Sequence, residues 1–207
     1  MKRKVLIAIP STGYMPAQTV SSLLELITPV PTKHCILIGA LVYEARERIA
    51  KSAIEEGYTH ILWLDSDVIV PRDALVKMLN VNAPIVSGVV FRRVAPYTPT
   101  VYMRQPNGLY REFINIPDGG IIHVDACGFG CVLTETEALV HMYEQYERLF
   151  APEELGEDLQ FCKRARDAGI EIKVDAAIRC GHLGQIVIED KHFKTARDAL
   201  YKIMREG

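Results

Sequence analysis

The run His60-Ile61-Leu62-Trp63-Leu64 restricts the fold of this chain most, because it is apolar at consecutive positions and leads directly into Asp65-Ser66-Asp67. A strand with apolar residues facing both ways must be covered on both sides, as in a parallel sheet between two helical layers. Similar short runs at residues 5–9, 34–38 and 85–90 alternate with helical patterns at residues 16–26, 43–56 and 71–79. Pro16 suits the first turn of its helix, and Gly57 suits the cap that closes the second. The alternation predicts an α/β protein built on an open, doubly wound, mostly parallel sheet.

After Phe91 the character changes. Residues 92–134 are rich in Pro, Gly, Tyr and Val, with a turn signal at Gln105-Pro106-Asn107-Gly108. They are expected to form hairpins, as a small antiparallel edge on the same sheet. Helix returns over residues 135–147. Leu155, Leu159, Cys162 and Ala165 then make a helical stripe that ends at Gly169, followed by a strand over 170–174. Phe193, Ala196, Leu200 and Ile203 mark an amphipathic tail helix.

With 207 residues, one domain is expected. A formal net charge of -2 offers no electrostatic case for nucleic acid. The apolar run behind Met1-Lys2-Arg3-Lys4 is too short for a secretion signal or a membrane span, so a cytoplasmic protein without a transmembrane segment is the expectation. The five cysteines, an odd number without paired spacing, are expected to be free thiols. Cys127-x3-Cys131 and Cys180-x-His182 match no standard zinc spacing, and read as buried small apolar residues.

In an open α/β sheet, ligands bind at the carboxyl ends of the parallel strands, where Asp65 and Asp67 fall. Two carboxylates two residues apart on extended backbone point the same way and would repel, raising at least one pKa. A hard divalent cation, Mg2+ or Mn2+, relieves that repulsion and bridges phosphates as well. Helix capping does not explain the pair, since Val68-Ile69-Val70-Pro71 postpones the next helix.

The segment from Ile61 through Asp65-Ser66-Asp67 to Pro71 resembles the Asp-x-Asp segment of GT-A glycosyltransferases, family 2-like, and the resemblance extends over most of the chain. Upstream, Arg46-Glu47-Arg48 resembles the Ala-Arg-Asn helix of that group, with Glu47 in place of Asn. Downstream, Val124-Asp125-Ala126-Cys127-Gly128-Phe129-Gly130 is similar to its acceptor-side glycine segment. Gly156-Glu157-Asp158-Leu159-Gln160-Phe161 is similar to its acidic catalytic segment, and Cys180-Gly181-His182 to its late metal-binding histidine.

The resemblance implies a single GT-A domain, with a nucleotide-sugar-binding half over 1–90 and an acceptor and catalytic half over 91–207. It implies transfer of a sugar from a nucleotide-diphosphate donor to a hydroxyl acceptor with the help of Mn2+ or Mg2+. Asp65, Asp67 and His182 would hold the cation, and a histidine ligand favours Mn2+. Asp158, with Glu157 beside it, would take the acceptor proton, although a helix N-terminus tends to lower a carboxylate pKa. Pro10, Ser11, Thr12 and Tyr14 after the first strand, with Arg46, Asp65 and Ser66, would contact the donor.

For His182 an ordinary loop histidine is the alternative, and for Arg46 a solvated arginine paired with helix glutamates. Arg92 and Arg93 follow a strand end, where one of them would meet phosphate or acceptor and the other lie exposed. Residues 144–156 read as a lid over the donor or as a plain surface loop, and the tail helix leaves self-association into a homo-oligomer open. A non-catalytic sugar-nucleotide or glycan-binding module and a nucleotidyltransferase are the competing readings. The first strand's loop, Pro10-Ser11-Thr12-Gly13-Tyr14, lacks the Gly-rich basic pattern of the latter.

Overall fold

A computed structural model describes residues 2–153, 155–184 and 187–206. In chain order the elements are β1 (Val5–Ser11), α1 (Ala17–Glu25), β2 (Thr32–Ile38), α2 (Val42–Glu55), β3 (His60–Leu64) and β4 (Val68–Ile69). Next come α3 (Ala74–Val81), β5 (Ile85–Val89), β6 (Val101–Arg104), β7 (Tyr110–Glu112), β8 (Ile121–Val124) and β9 (Ala126–Cys127). The chain continues with β10 (Cys131–Glu135), α4 (Thr136–Tyr143), α5 (Glu157–Asp167) and β11 (Ile172–Arg179). It ends in β12 (Gly181–Leu183), β13 (Val187–Ile188) and α6 (Asp190–Glu206).

The central sheet has seven strands in the order β2-β1-β3-β10-β5-β11-β8. β2, β1 and β3 run parallel, as do β5 and β11, whereas β10 is antiparallel to both β3 and β5 and β8 is antiparallel to β11. The α/β class and the mostly parallel sheet agree with the sequence pattern. From the stretch predicted as an edge, β6, β7 and β9 do form a small separate antiparallel sheet. β10 does not lie at an edge but fills the middle of the large sheet, because Cys131, Val132 and Leu133 are apolar on both faces, as a central strand requires.

Side chains along the strands alternate between two cores. In β3, Ile61 and Trp63 face one core while Leu62 and Leu64 face the other, and Leu6 and Ala8 alternate in the same way with Val5, Ile7 and Ile9. One core is closed by Ile49, Ala50 and Ala53 of α2, Leu139 and Met142 of α4, and Phe161 and Ala165 of α5. The other is closed by Leu23 beside α3's Leu75, Met78 and Leu79. Trp63 is fully buried, and its indole N–H donates to Thr134 Oγ1 at 3.0 Å, tying β3 to β10. Gly88 of β5 is needed for close approach: a Cβ there would lie 2.8 Å from Ile178 Cγ2 on β11.

Among the described residues no helix is long and apolar enough to cross a membrane. The five cysteines are free thiols, and all except Cys35 are buried.

Candidate active site

The elements that shape the site meet at one end of the sheet. β3 ends at Leu64, and the chain enters a tight turn in which Asp65 N–H donates to Gly130 O at 3.1 Å and Val68 N–H to Asp65 O at 3.2 Å. β4 then pairs antiparallel with β12, placing His182 opposite Val68, while Leu183 N–H donates to Asp67 O at 2.8 Å. This two-residue pairing brings residues more than a hundred positions apart into contact. His182 Nε2 lies 3.3 Å from Asp67 Oδ1. Its Nδ1 lies 2.6 Å from Phe91 O, and since a carbonyl only accepts, Nδ1 carries the proton and Nε2 is turned to Asp67.

Asp67 has a second partner, Arg93 Nη1, at 2.6 Å from its other oxygen. Burial works to raise the Asp67 carboxyl, but the hydrogen bond and charge of His182, joined by Arg93, hold it below its ordinary value. The mutual repulsion expected of two bare carboxylates is therefore not what Asp67 experiences: each aspartate has its own cation.

The cation of Asp65 is Arg46. Its side chain is only 2 % exposed, and it is neither solvated nor paired with glutamates of its own helix. Arg46 Nη2 donates to Asp65 Oδ1 at 2.9 Å, and Nη1 donates to Glu157 Oε1 at 3.2 Å and to Asp158 Oδ1. The guanidinium sits over the Phe129 ring, 5.2 Å from its centroid, on an aromatic bed of Trp63, Phe129, Phe150 and Phe161. Glu157 and Asp158 open α5, and Asp158 Oδ2 accepts the Phe129 N–H at 3.1 Å. Burial pushes the Asp158 carboxyl up to about 6, helped by Asp65 and Glu157 and opposed by Arg46. The lowering expected from the helix N-terminus is outweighed by desolvation.

Neither a protein-family model nor a curated protein sequence matches the chain. Solved structures do. The crystal structure of A197 from STIV superposes with a TM-score of 0.68 at 17% identity, over 91% of each chain. The structure of GalNAc-T7 with UDP, GalNAc and Mn2+ superposes with a TM-score of 0.63 at 10% identity, over 89% of this chain and 44% of that one. The fold is GT-A-like.

Within the GT-A-like frame, Pro10 and Ser11 end β1 beside the turn that carries Ser66, on the same end of the sheet. Ser11 Oγ accepts the Gly13 N–H at 3.1 Å and donates to Tyr14 O, so this hydroxyl shapes the loop. Thr12 and Tyr14 are exposed. Among the described residues no group of three or more His, Cys, Asp or Glu side chains is arranged to hold a metal ion by itself. Asp67 and His182 supply two donors, one hard oxygen and one imidazole nitrogen, whereas Asp65 is engaged by Arg46.

The segment before α5 is anchored rather than loose in its middle. Leu149 and Phe150 are buried, and their N–H groups donate to the buried carboxylate of Glu47 at 2.9 and 3.1 Å. Arg164 Nη1 donates to Leu149 O and Ala151 O. A lid spanning all of 144–156 does not fit these contacts.

Sequence reasoning missed the Phe129 N–H as a partner of Asp158. The glycines on either side of Phe129 were its signal, since Gly128 and Gly130 leave Cβ space that Thr100 and Val90 fill. It also missed Arg46 as the hub of the acidic groups. Among the charged residues of α2, Arg46 and Glu47 fall on the buried side with Ile49, Ala50 and Ala53, which face the core.

Proposed function

We propose that this chain is a metal-dependent glycosyltransferase that moves a sugar from a nucleotide-diphosphate donor to a hydroxyl acceptor. The observation that carries the reading is the pairing of two distinct sites on one motif. Asp67 meets His182 at 3.3 Å, while two residues earlier Asp65 shares Arg46 with Asp158. One site suits the leaving diphosphate and the other suits the attacking hydroxyl.

Asp67 and His182 would hold Mn2+ or Mg2+, with the donor's phosphate oxygens and water completing the coordination. The bound cation supplies Lewis-acid stabilisation of the diphosphate as the glycosidic bond breaks. With Nδ1–H committed to Phe91 O, His182 offers Nε2 in a fixed direction, and a nitrogen donor favours Mn2+. The donor's nucleoside would lie across Pro10, Ser11, Thr12 and Tyr14, and Ser66 would face its sugar phosphate. Asp158, with its carboxyl near 6, would be ionised at neutral pH and basic enough to take the acceptor proton. Arg46 sets the orientation of that carboxylate, and Glu157 completes the shell around Arg46.

The test is donor hydrolysis or transfer by the intact chain over a panel of nucleotide sugars with Mn2+. Release of sugar that depends on Mn2+, Asp67 and Asp158 supports the reading. Mn2+-dependent nucleotide binding with no sugar released from any donor would replace it with a binding module.

A further inference from the structure

Both aspartates of the motif have an arginine counter-ion, but the two arginines are in opposite situations. Arg46 is buried, holds three carboxylates and packs on Phe129, so it has nowhere to go. Arg93 is 55 % exposed, and among the described residues its one ion pair is with Asp67, 2.6 Å from Oδ2. Water can solvate the exposed guanidinium nearly as well as Asp67 does, so Arg93 loses little by leaving, although Asp67 itself is only 26 % exposed. Arg93 thus places a positive charge on one of the two donors that would seat the cation, through a contact that is easily given up. The chain just before it is tied down: Arg92 N–H donates to Thr98 O at 2.9 Å, and Phe91 bridges to Pro99.

We infer that Arg93 is a placeholder at the cation seat: it neutralises Asp67 in the empty site, and releases it to the metal when a diphosphate arrives to take the guanidinium. This rests on the reading of Asp67 and His182 as the cation seat and adds a binding order to it. A cation arriving alone must displace Arg93 and leave that charge beside its own. A cation arriving with a nucleoside diphosphate meets no such opposition, because the guanidinium gains a phosphate partner of matching geometry. Arg93 therefore couples the two ligands, and by linkage each raises the affinity for the other.

The experiment is Mn2+ titration of the intact chain, followed by the spectrum of free Mn2+, with and without UDP as the diphosphate probe. Wild type, Arg93→Ala, Arg93→Lys and Asp67→Ala are compared. Wild type should bind Mn2+ weakly alone and at least tenfold more tightly with UDP. Arg93→Ala should bind Mn2+ alone several-fold more tightly than wild type, bind UDP more weakly at saturating Mn2+, and show a smaller coupling factor. Arg93→Lys should fall between them. Unchanged or weaker binding of Mn2+ alone by Arg93→Ala, with binding still abolished by Asp67→Ala, would overturn the placeholder role and leave the cation seat standing. Mn2+ binding that ignores Asp67 would instead remove the seat, and Arg93's role with it. Arg93 is exposed, so its variants test the site without disturbing the core.

Discussion

Asp158 is where the chemistry and the folding energy of this protein pull in different directions. A carboxyl raised to about 6 is ionised at neutral pH yet holds its proton far better than an ordinary aspartate. Transfer should therefore rise with pH through about 6, and Asp158→Asn should lose that limb and lower turnover by about 100-fold or more while donor affinity holds. A pH-rate profile set against nucleotide binding checks both. The stability sign follows from the same shift. The folded value lies above the unfolded one, so the group's contribution is fully present below the ordinary aspartate range and is lost as pH rises through about 6. The melting temperature of Asp158→Asn should gain on wild type between pH 4 and pH 7. Arg46 is the counterpart. Its replacement by Met would leave Asp65, Glu157 and Asp158 with no cation, at about 3 kcal/mol or more, measurable by denaturant unfolding. Lys in its place restores a charge but not a fork that reaches three carboxylates, so it should recover only part of that loss.

Among the elements, the segment between α4 and α5 is placed by buried charge. Glu47 accepts from the Leu149 and Phe150 N–H groups and the Tyr143 hydroxyl, and Arg164 donates to Leu149 O. Glu157 and Asp158 open α5 a few residues further on, so the proposed base is aimed by contacts well away from it. Glu47→Ala should orphan two buried amides at about 1–3 kcal/mol each. Hydrogen exchange at Leu149 and Phe150 should quicken while β3 stays protected. The long apolar strands and the caps were legible in the sequence, since periodicity and residues such as Gly57 write them locally. β4, β12 and β13 were not. Each has two or three residues, too few for a period to register, and the pairing that joins Asp67 to His182 exists only in three dimensions. Resemblance pointed to His182, but nothing local to it did. Arg46 reads in the sequence as a donor contact, with a solvated arginine as the alternative, and its ion pairs with Asp65, Glu157 and Asp158 are hidden there because those partners lie far along the chain.

At the scale of the whole molecule, the GT-A-like frame gathers strand ends β1, β3, β5 and β11 with the start of β10 at one end of the sheet. Ligands that bind only this folded arrangement should stabilise it. The Mn2+–UDP complex at about 100 times its dissociation constant would add about 2.7 kcal/mol. Thermal melts should show that gain in wild type and its loss in Asp67→Ala and His182→Ala. A gain that survives in both variants would place the ligands elsewhere.

The reversed strand at the centre of the sheet also bears on how the chain comes to be made. β3 and β5 are neighbours in sequence, but they never pair, since β10 lies between them. Trp63 must wait for Val132, some seventy residues later, before its strand has a partner on that side. During synthesis the leading half therefore emerges with a slot one strand wide and two unpaired edges facing into it. That slot closes only when Cys131–Glu135 leaves the ribosome, before α5 and its Asp158 have been made. The contact of Asp158 with Phe129 and the pairing of β11 with β5 come later still, so a product truncated before α5 would carry neither.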